Sequence, residues 1–230
     1  MLTELGVIRV ISSADQESTD IHGLLIEAAY PGVRTTSICL PDQPDGVHNE
    51  ATERAAAAKM PAAARQLAAR GVDGIIVSCC SDPGVGEARD AVNVPLVGAG
   101  EAAALVSLVH RRPVGVLGLS GDAPSPMRRI LGGMLVASAV PEGVSTTLDL
   151  HKPGARDACE RAARQLVKQG AGVICLACTG TATVGLPGYL AERLDVPVVD
   201  PVMAAGGLAL TLVAQLKARS HCQATRLERA

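Results

Sequence analysis

The sequence predicts an α/β fold: two pseudo-symmetric, mainly parallel α/β halves with a cleft between them. Three observations point there. Short Val/Ile/Leu runs alternate with Ala-rich segments at helical spacing along 230 residues, the pattern of parallel sheets covered on both faces. The stretch "ARQLAARGVDGIIVSC" (64–79) returns as "ARQLVKQGAGVICLAC" (163–178), with seven of sixteen paired positions identical. Both copies end on a cysteine, eight residues after a glycine.

Taken in order, an apolar run predicts the first strand over residues 7–12, and helical spacing predicts a helix over 19–29. A second strand is expected over 33–40. An Ala-rich helix follows over 50–70, strong in helix propensity, with a kink or a break into two pieces at Pro61. It ends near Gly71, suited to a left-handed C-cap, and a buried strand over 74–78 delivers Cys79 to its end. Asp82 is the expected N-cap and Pro83 the first helical residue of a helix over 84–92. A strand over 96–98 feeds a helix over 101–110.

The second half repeats the plan. Strands are expected over 114–119, 145–150, 173–177 and 198–199, and helices over 126–131, 154–169, 184–194 and 202–219. The helix over 154–169 ends near Gly170, and the strand after it delivers Cys178. The likeness continues from "NVPLVGAGEAAAL" (93–105) to "DVPVVDPVMAAGGL" (195–208), where the offset has grown from 99 to 102. The first half therefore covers 1–111 and the second 112–201. Helix 202–219 packs back on the first half, and 220–230 is a tail.

Composition excludes several function classes. The chain is 48% hydrophobic with two Tyr, no Phe and no Trp. Its core is therefore Val, Leu, Ile and Ala, and stacking platforms for nucleic-acid bases are missing. A net charge of −2 gives no basic footprint for nucleic acid or acidic lipid. The start "MLTELGVIRVISS" has no basic segment before a long apolar run, so no signal peptide is expected. Gly, charge or Pro interrupts the apolar runs before the roughly 20 residues of a membrane span. Seven cysteines, an odd number without a secretion signal, suggest reduced thiols in a cytoplasm.

The chemistry lies at the two strand ends, because open α/β sheets bind ligands at that edge. Cys79 stands just before an expected helix start, which favours thiolate. After Cys178, Thr179, Gly180 and Thr181 offer N–H groups and hydroxyls for a carboxylate or enolate oxygen. Two thiols flanking one cleft suit a reaction in which one removes a proton from an acidic carbon and the other returns one to the opposite face. That chemistry needs no metal or organic cofactor, and the chain shows no phosphate loop or dinucleotide fingerprint.

Ser120 ends the first strand of the second half and is the positional partner of Ser12 or Ser13. Such serines bind substrate oxygens or cap helices. Cys80 and Ser81 complete the polar set beside the first thiol. The repeat counterpart of Cys80 is Thr179, a loop position, and that of Cys175 is Ile76, a core position. Glu101, which opens a helix, and His48, on a loop able to close over the cleft, complete the candidate substrate-binding residues. The other histidines read as surface or capping residues, and Cys39, Cys159 and Cys222 as incidental thiols. A rival arrangement makes Cys79, Cys80, Cys175 and Cys178 a zinc site. Adjacent cysteines are poor spacing for one arm, and a strand points Cys175 and Cys178 to opposite faces. A metabolite-binding module without chemistry is the other non-enzymatic alternative.

"SCCSDPG" (78–84), "VPLVGAGEAA" (94–103), "CLACTG" (175–180) and "VPVVDPV" (196–202) resemble the aspartate/glutamate racemase superfamily, in its hydantoin racemase branch. The resemblance runs from about residue 7 to 216. It implies a cofactor-independent two-thiol racemase of small polar substrates, 5-substituted hydantoins or related compounds, in a homo-oligomer. By motif position Cys79 and Cys178 match the two catalytic cysteines. The superfamily also implies alternatives: an amino-acid racemase of the aspartate/glutamate type, a maleate cis-trans isomerase, or a decarboxylase. Two departures stand out. "ISSADQES" replaces the Asn-Pro-Asn-like loop after the first strand, and His48 stands where the family often has an aromatic.

Overall fold

The computed structural model describes residues 2–227, with side chains through residue 219. Cys222 and the expected tail at 220–230 lie outside the described side chains. The first half runs β1 (Thr3–Arg9), α1 (Gln16–Ala29), β2 (Val33–Cys39), α2 (Glu50–Ala69), β3 (Gly74–Ser78), α3 (Val85–Asp90), β4 (Leu96–Gly98) and α4 (Ala99–Val109). The second runs β5 (Val114–Leu117), α5 (Ser125–Leu131), β6 (Leu135–Ala139), α6 (Ala155–Lys168), β7 (Val173–Leu176), α7 (Gly180–Thr183), α8 (Leu186–Ala191), β8 (Val198–Val199) and α9 (Pro201–Leu227).

Each half is a four-stranded sheet of the same topology, β2-β1-β3-β4 and β6-β5-β7-β8, with every neighbouring pair parallel. Val7 pairs with Ile76, and Val116 with Cys175. The repeat seen in sequence is thus a repeat of register.

Alternation along the strands sorts their side chains to two faces. Ile75 and Val77 turn outward onto Met60 and Leu67 of α2, while Ile76 turns inward. Ile174 and Leu176 likewise meet Leu166 and Leu190, while Cys175 turns inward. The inward residues of both sheets share one central core with Ala99, Ala102, Ala103 and Ala104 of α4 and Val202, Ala205 and Val213 of α9. Small side chains let these helices approach the sheets closely, which is how a core without Phe or Trp fills. Helix α9 packs on α1, α4, β3 and β4. Tyr30 Oη donates to Met203 O at 2.9 Å, and Lys217 Nζ pairs with Asp73 at 2.8 Å.

The structure corrects several expectations. The strand expected over 145–150 is a 3₁₀ turn, Thr147–His151, because Thr146 and Asp149 form a capping box around it. The sixth strand is Leu135–Ala139 instead, a short apolar run after the Gly132–Gly133 pair. Pro61 does not divide α2. Proline withholds the N–H that Ala57 O would accept, and the chain around Gly84 packs against that carbonyl. A Cβ at Gly84 would meet Ala57 O at 2.6 Å, and its φ of +64° also suits glycine. The helix expected over 184–194 starts earlier and breaks at Gly185, with φ +65°, into α7 and α8. Asp82 does not cap α3, which starts at Val85 after Gly84. Pro201–Arg219 of α9 is long and apolar enough to cross a membrane, contrary to the expected interruptions, since Gly206 and Gly207 do not break it. Its buried residues belong to the central core.

Candidate active site

A cavity of about 690 Å³ opens between the halves at the C-terminal ends of β1, β3, β5 and β7. Its wall includes Cys79 from just beyond β3 and Cys178 from just beyond β7. Cys79 packs with the outer cluster of the first half and Cys178 against that of the second, equivalent places from which both border one cavity. Two contacts tie these turns across the halves. Thr179 Oγ1 donates to Ser78 O at 3.1 Å, and Cys80 Sγ lies 4.0 Å from Leu176 O.

The surroundings of the two thiols differ. Cys79 Sγ lies 3.6 Å from Ser81 Oγ. Burial pushes its pKa up to about 12, and the charges of Asp82 and Cys178 push the same way against hydrogen bonds from Ser81. The helix start expected to lower it is six residues away, so desolvation decides. Burial also raises Cys178, but three donors oppose it: the Thr147 hydroxyl and the N–H groups of Gly180 and Thr181. Thr147 Oγ1 stands 3.6 Å from the sulfur. The turn expected to hold a substrate oxygen therefore presents two N–H groups to Cys178 itself, at the point where α7 begins. Gly180 is required for this approach, since a Cβ there would overlap Thr147 Cγ2.

Cys80, Ser81, Ser120, Thr179, Gly180 and His48 also line the cavity. Ser120 Oγ donates to Asp122 O at 3.2 Å. Ser12, Ser13 and Glu101 are not among the lining residues. Ser12 Oγ donates to Leu40 O at 2.8 Å and accepts from Gln43 N at 2.7 Å, so it braces the loop after β2. Ser13 Oγ accepts from Asp15 N at 3.1 Å in a local turn. Glu101 accepts from Gly98 N at 3.0 Å and pairs with Arg89, which consumes its carboxylate in holding the start of α4. Cys175 is buried in the central core, on the face away from Cys178. Among the described residues, no group of three or more His, Cys, Asp or Glu could hold a metal ion.

Sequence reasoning missed Arg9, His22 and Ser78, which join the wall beside Cys79. His22 was expected on the surface or as a cap, yet it is 1% exposed, with Nδ1 2.7 Å from Ser78 Oγ. Arg9 donates to Ser18 O at 2.7 Å and Thr19 O at 3.4 Å. Arg9 Nε and His22 Nε2 are buried without a partner, each at a cost of about 1–3 kcal/mol. A lone arginine inside the apolar run "GVIRVI" was the available signal. Ser145, Thr146 and Thr147 were missed because they were assigned to a strand.

The cavity's charges are mostly committed or acidic. Arg128 pairs with Asp122 at 3.4 Å, and Arg9 is spent on backbone carbonyls. Glu50 and Glu53 line the α2 side. Burial and the neighbouring Glu50 charge raise the Glu53 pKa.

A model of the Asp/Glu/Hydantoin racemase family matches residues 5–209 of this chain. A hydantoin racemase of Paenarthrobacter aurescens is 30% identical over 155 residues, 62% of this chain. The match spans 62% of that protein, just under two thirds of its length. A hydantoin racemase of Rhizobium meliloti is 29% identical over 198 residues, covering 83% of this chain and 80% of that one. Among solved structures, an allantoin racemase from Klebsiella pneumoniae matches with a TM-score of 0.80 at 26% identity, covering 93% of this chain and 88% of that one.

Proposed function

The chain belongs to the Asp/Glu/Hydantoin racemase family, and from that premise we propose that it racemises 5-substituted hydantoins or closely related cyclic ureides, with Cys79 and Cys178 as the acid/base pair. Two thiols at equivalent strand ends of opposite halves line one cavity, and this single observation carries the assignment. The carbon between a ring carbonyl and a ring nitrogen bears an acidic hydrogen. One sulfur, as thiolate, takes that proton, and the electron pair moves onto the carbonyl oxygen as an enolate. The opposite thiol gives its proton to the other face. Product leaves with inverted configuration, and the two sulfurs have exchanged roles.

The electrostatics suit this division of labour. Two thiolates facing one cavity repel, and the Cys178 charge raises the pKa of Cys79. The pair therefore carries at most one negative charge at a time. Of the two, Cys178 gives up its proton more readily, because one hydroxyl and two N–H groups support its thiolate against the burial that raises it. Glu53 on the cavity wall, and the prior commitment of Arg9 to backbone carbonyls and of Arg128 to Asp122, favour a substrate without carboxylates over aspartate or glutamate.

The test is proton exchange followed by NMR in deuterated water, with single enantiomers of 5-substituted hydantoins, allantoin, aspartate and glutamate. Loss of the carbon-bound proton together with loss of optical purity for the ring compounds is the expected result. Exchange confined to aspartate or glutamate would move the assignment to amino-acid racemisation. No exchange with any of them would reject both.

A further inference from the structure

Beside Cys79 the cavity wall holds a hydrogen bond for which two-thiol chemistry has no use. His22, in the second turn of α1, reaches Ser78 Oγ with Nδ1 at 2.7 Å, and Ser78 directly precedes Cys79. Arg9 is the register partner of Ser78 across β1 and β3. Its bonds to Ser18 O and Thr19 O clamp the first turn of α1 to the sheet and set the point from which His22 reaches down. The Ser78 carbonyl is held in turn by Thr179 Oγ1, next to Cys178. Burial and the Arg9 charge hold the His22 pKa well below its ordinary value, so the ring stays neutral. Nε2 has no partner among the described residues, which leaves Nδ1 to orient the ring. In the second half, Gly118 and Ala177 occupy the places of Arg9 and Ser78, and neither has a polar side chain.

We propose that His22 is a positioning residue for Cys79: its bond to Ser78 Oγ fixes the strand-end turn that aims this thiol, and not its opposite, at the substrate carbon. The proposal rests on the racemase reading above, and it predicts a one-sided defect. Removing the bond slows proton removal on the Cys79 face and spares the Cys178 face.

The experiment measures deuterium exchange of each enantiomer of one 5-substituted hydantoin with the full chain and with His22→Leu, His22→Asn and Ser78→Ala. Cys79→Ser identifies the enantiomer that depends on Cys79. His22→Leu is expected to slow that enantiomer at least about tenfold in kcat with little change in KM, since small misplacement of a reacting group is costly. The other enantiomer keeps its rate. Asparagine places an amide atom where Nδ1 was and restores most of the loss. Ser78→Ala reproduces the leucine defect, and the double variant is no worse than either single one. Equal slowing of both enantiomers overturns the proposal, as does an unimpaired His22→Leu or an asparagine variant as poor as leucine. Should His22→Leu fail to fold, Ser78→Ala, which removes a single oxygen, decides the matter by the same one-sided criterion. Failure of the wild-type chain to exchange any hydantoin rejects the hydantoin reading instead. The proposal is then judged by iodoacetamide labelling of Ser78→Ala: a changed rate at Cys79 alone supports it, and unchanged rates at both thiols overturn it.

Discussion

The two halves share strand order, parallel pairing and the place of their cysteine, yet they treat that cysteine differently. In the first half the thiol is backed by Arg9, His22 and Ser78 and pushed up to about 12 by burial, with Asp82 adding to the push. In the second half those backing places hold Gly118 and Ala177, while Thr147, Gly180 and Thr181 turn donors onto the sulfur. Duplication of the backbone sets where the thiols stand. Under the proposed two-thiol mechanism, side chains that were not duplicated decide which of them ionises more readily. A reaction that passes one proton from face to face uses this inequality, because it needs one base and one acid at every moment.

The largest effect tests the symmetric part of this comparison. Cys79→Ser and Cys178→Ser are each expected to lower racemisation by roughly 100- to 10,000-fold, the scale of a lost acid/base group. Each variant should still exchange the proton of one enantiomer, and the two should spare opposite ones. Polarimetry and NMR exchange on the same samples check this. If both variants spared the same enantiomer, the two-sided assignment would fail.

The next effect tests the asymmetric part. In Gly180→Ala the new methyl collides with Thr147. Thr147 must move away from Cys178, and the sulfur loses a donor. Turnover should fall roughly tenfold or more, with overpacking costing about 1–3 kcal/mol. The pH at which activity rises should shift upward, since the thiolate has lost support. Alanine at the equivalent first-half position, Ser81→Ala, should shift the pH profile less, because Cys79 is the harder of the two thiols to ionise.

How the two shared helices are capped also separates the halves. Helix α9 is capped locally, with Asp200 accepting from Val202 N at 2.8 Å. The equivalent residue before α4 is Gly98, which has no side chain to offer. Asp82 caps α4 from a distance, accepting from Gly100 N at 2.9 Å and Glu101 N at 2.7 Å. A Cβ at Gly98 or Gly100 would overlap that carboxylate. Asp82→Ala should therefore cost about 1–2 kcal/mol, the worth of a cap. Burial pushes the Asp82 pKa up to about 7, above its unfolded value, so its contribution is full in acid and is lost as pH rises through about 7. The gap in melting temperature between wild type and Asp82→Ala should narrow from pH 5.5 to pH 8.5. A gap that widened would reverse the sign of this linkage.

These contrasts also mark what could be read from the sequence. The thiols were legible because the repeat is local: helix, glycine, strand and cysteine fall within sixteen residues in each copy. The position of Gly71 and Gly170 after their helices was legible for the same reason, and both have positive φ, +83° and +99°. The helix start that favours thiolate was assigned to the wrong cysteine. Asp82-Pro83 looks like a cap followed by a first turn, but Asp82 adopts φ +51° and sends its carboxylate to α4. Thr179-Gly180-Thr181 lacks the usual cap signature, yet α7 begins there. His22 and Ser78 are 56 residues apart, and only the β1–β3 pairing and the seating of α1 bring them together. Polar contacts made across elements leave no local period to detect.

The smallest predicted effect discriminates most finely between the two thiols. Cys178 is partly exposed and has three donors on its sulfur, whereas Cys79 is 7% exposed and sits near the Asp82 charge. Access and thiolate fraction both favour Cys178, and alkylation requires the thiolate. Iodoacetamide near pH 7.5 should therefore label Cys178 several-fold faster than Cys79, read by mass spectrometry of the two peptides. Buried Cys175, pushed up to about 12 in the central core, serves as the unreactive reference. Raising the pH should speed both reactions, because burial lifts both thiols above their ordinary range. A bound hydantoin should protect both residues, since both line the cavity. Equal labelling rates at neutral pH would mean that the donors on Cys178 do not decide which thiol ionises more readily. Faster labelling of Cys79 would place the more readily ionised thiol in the first half and reverse the direction in which the first proton moves.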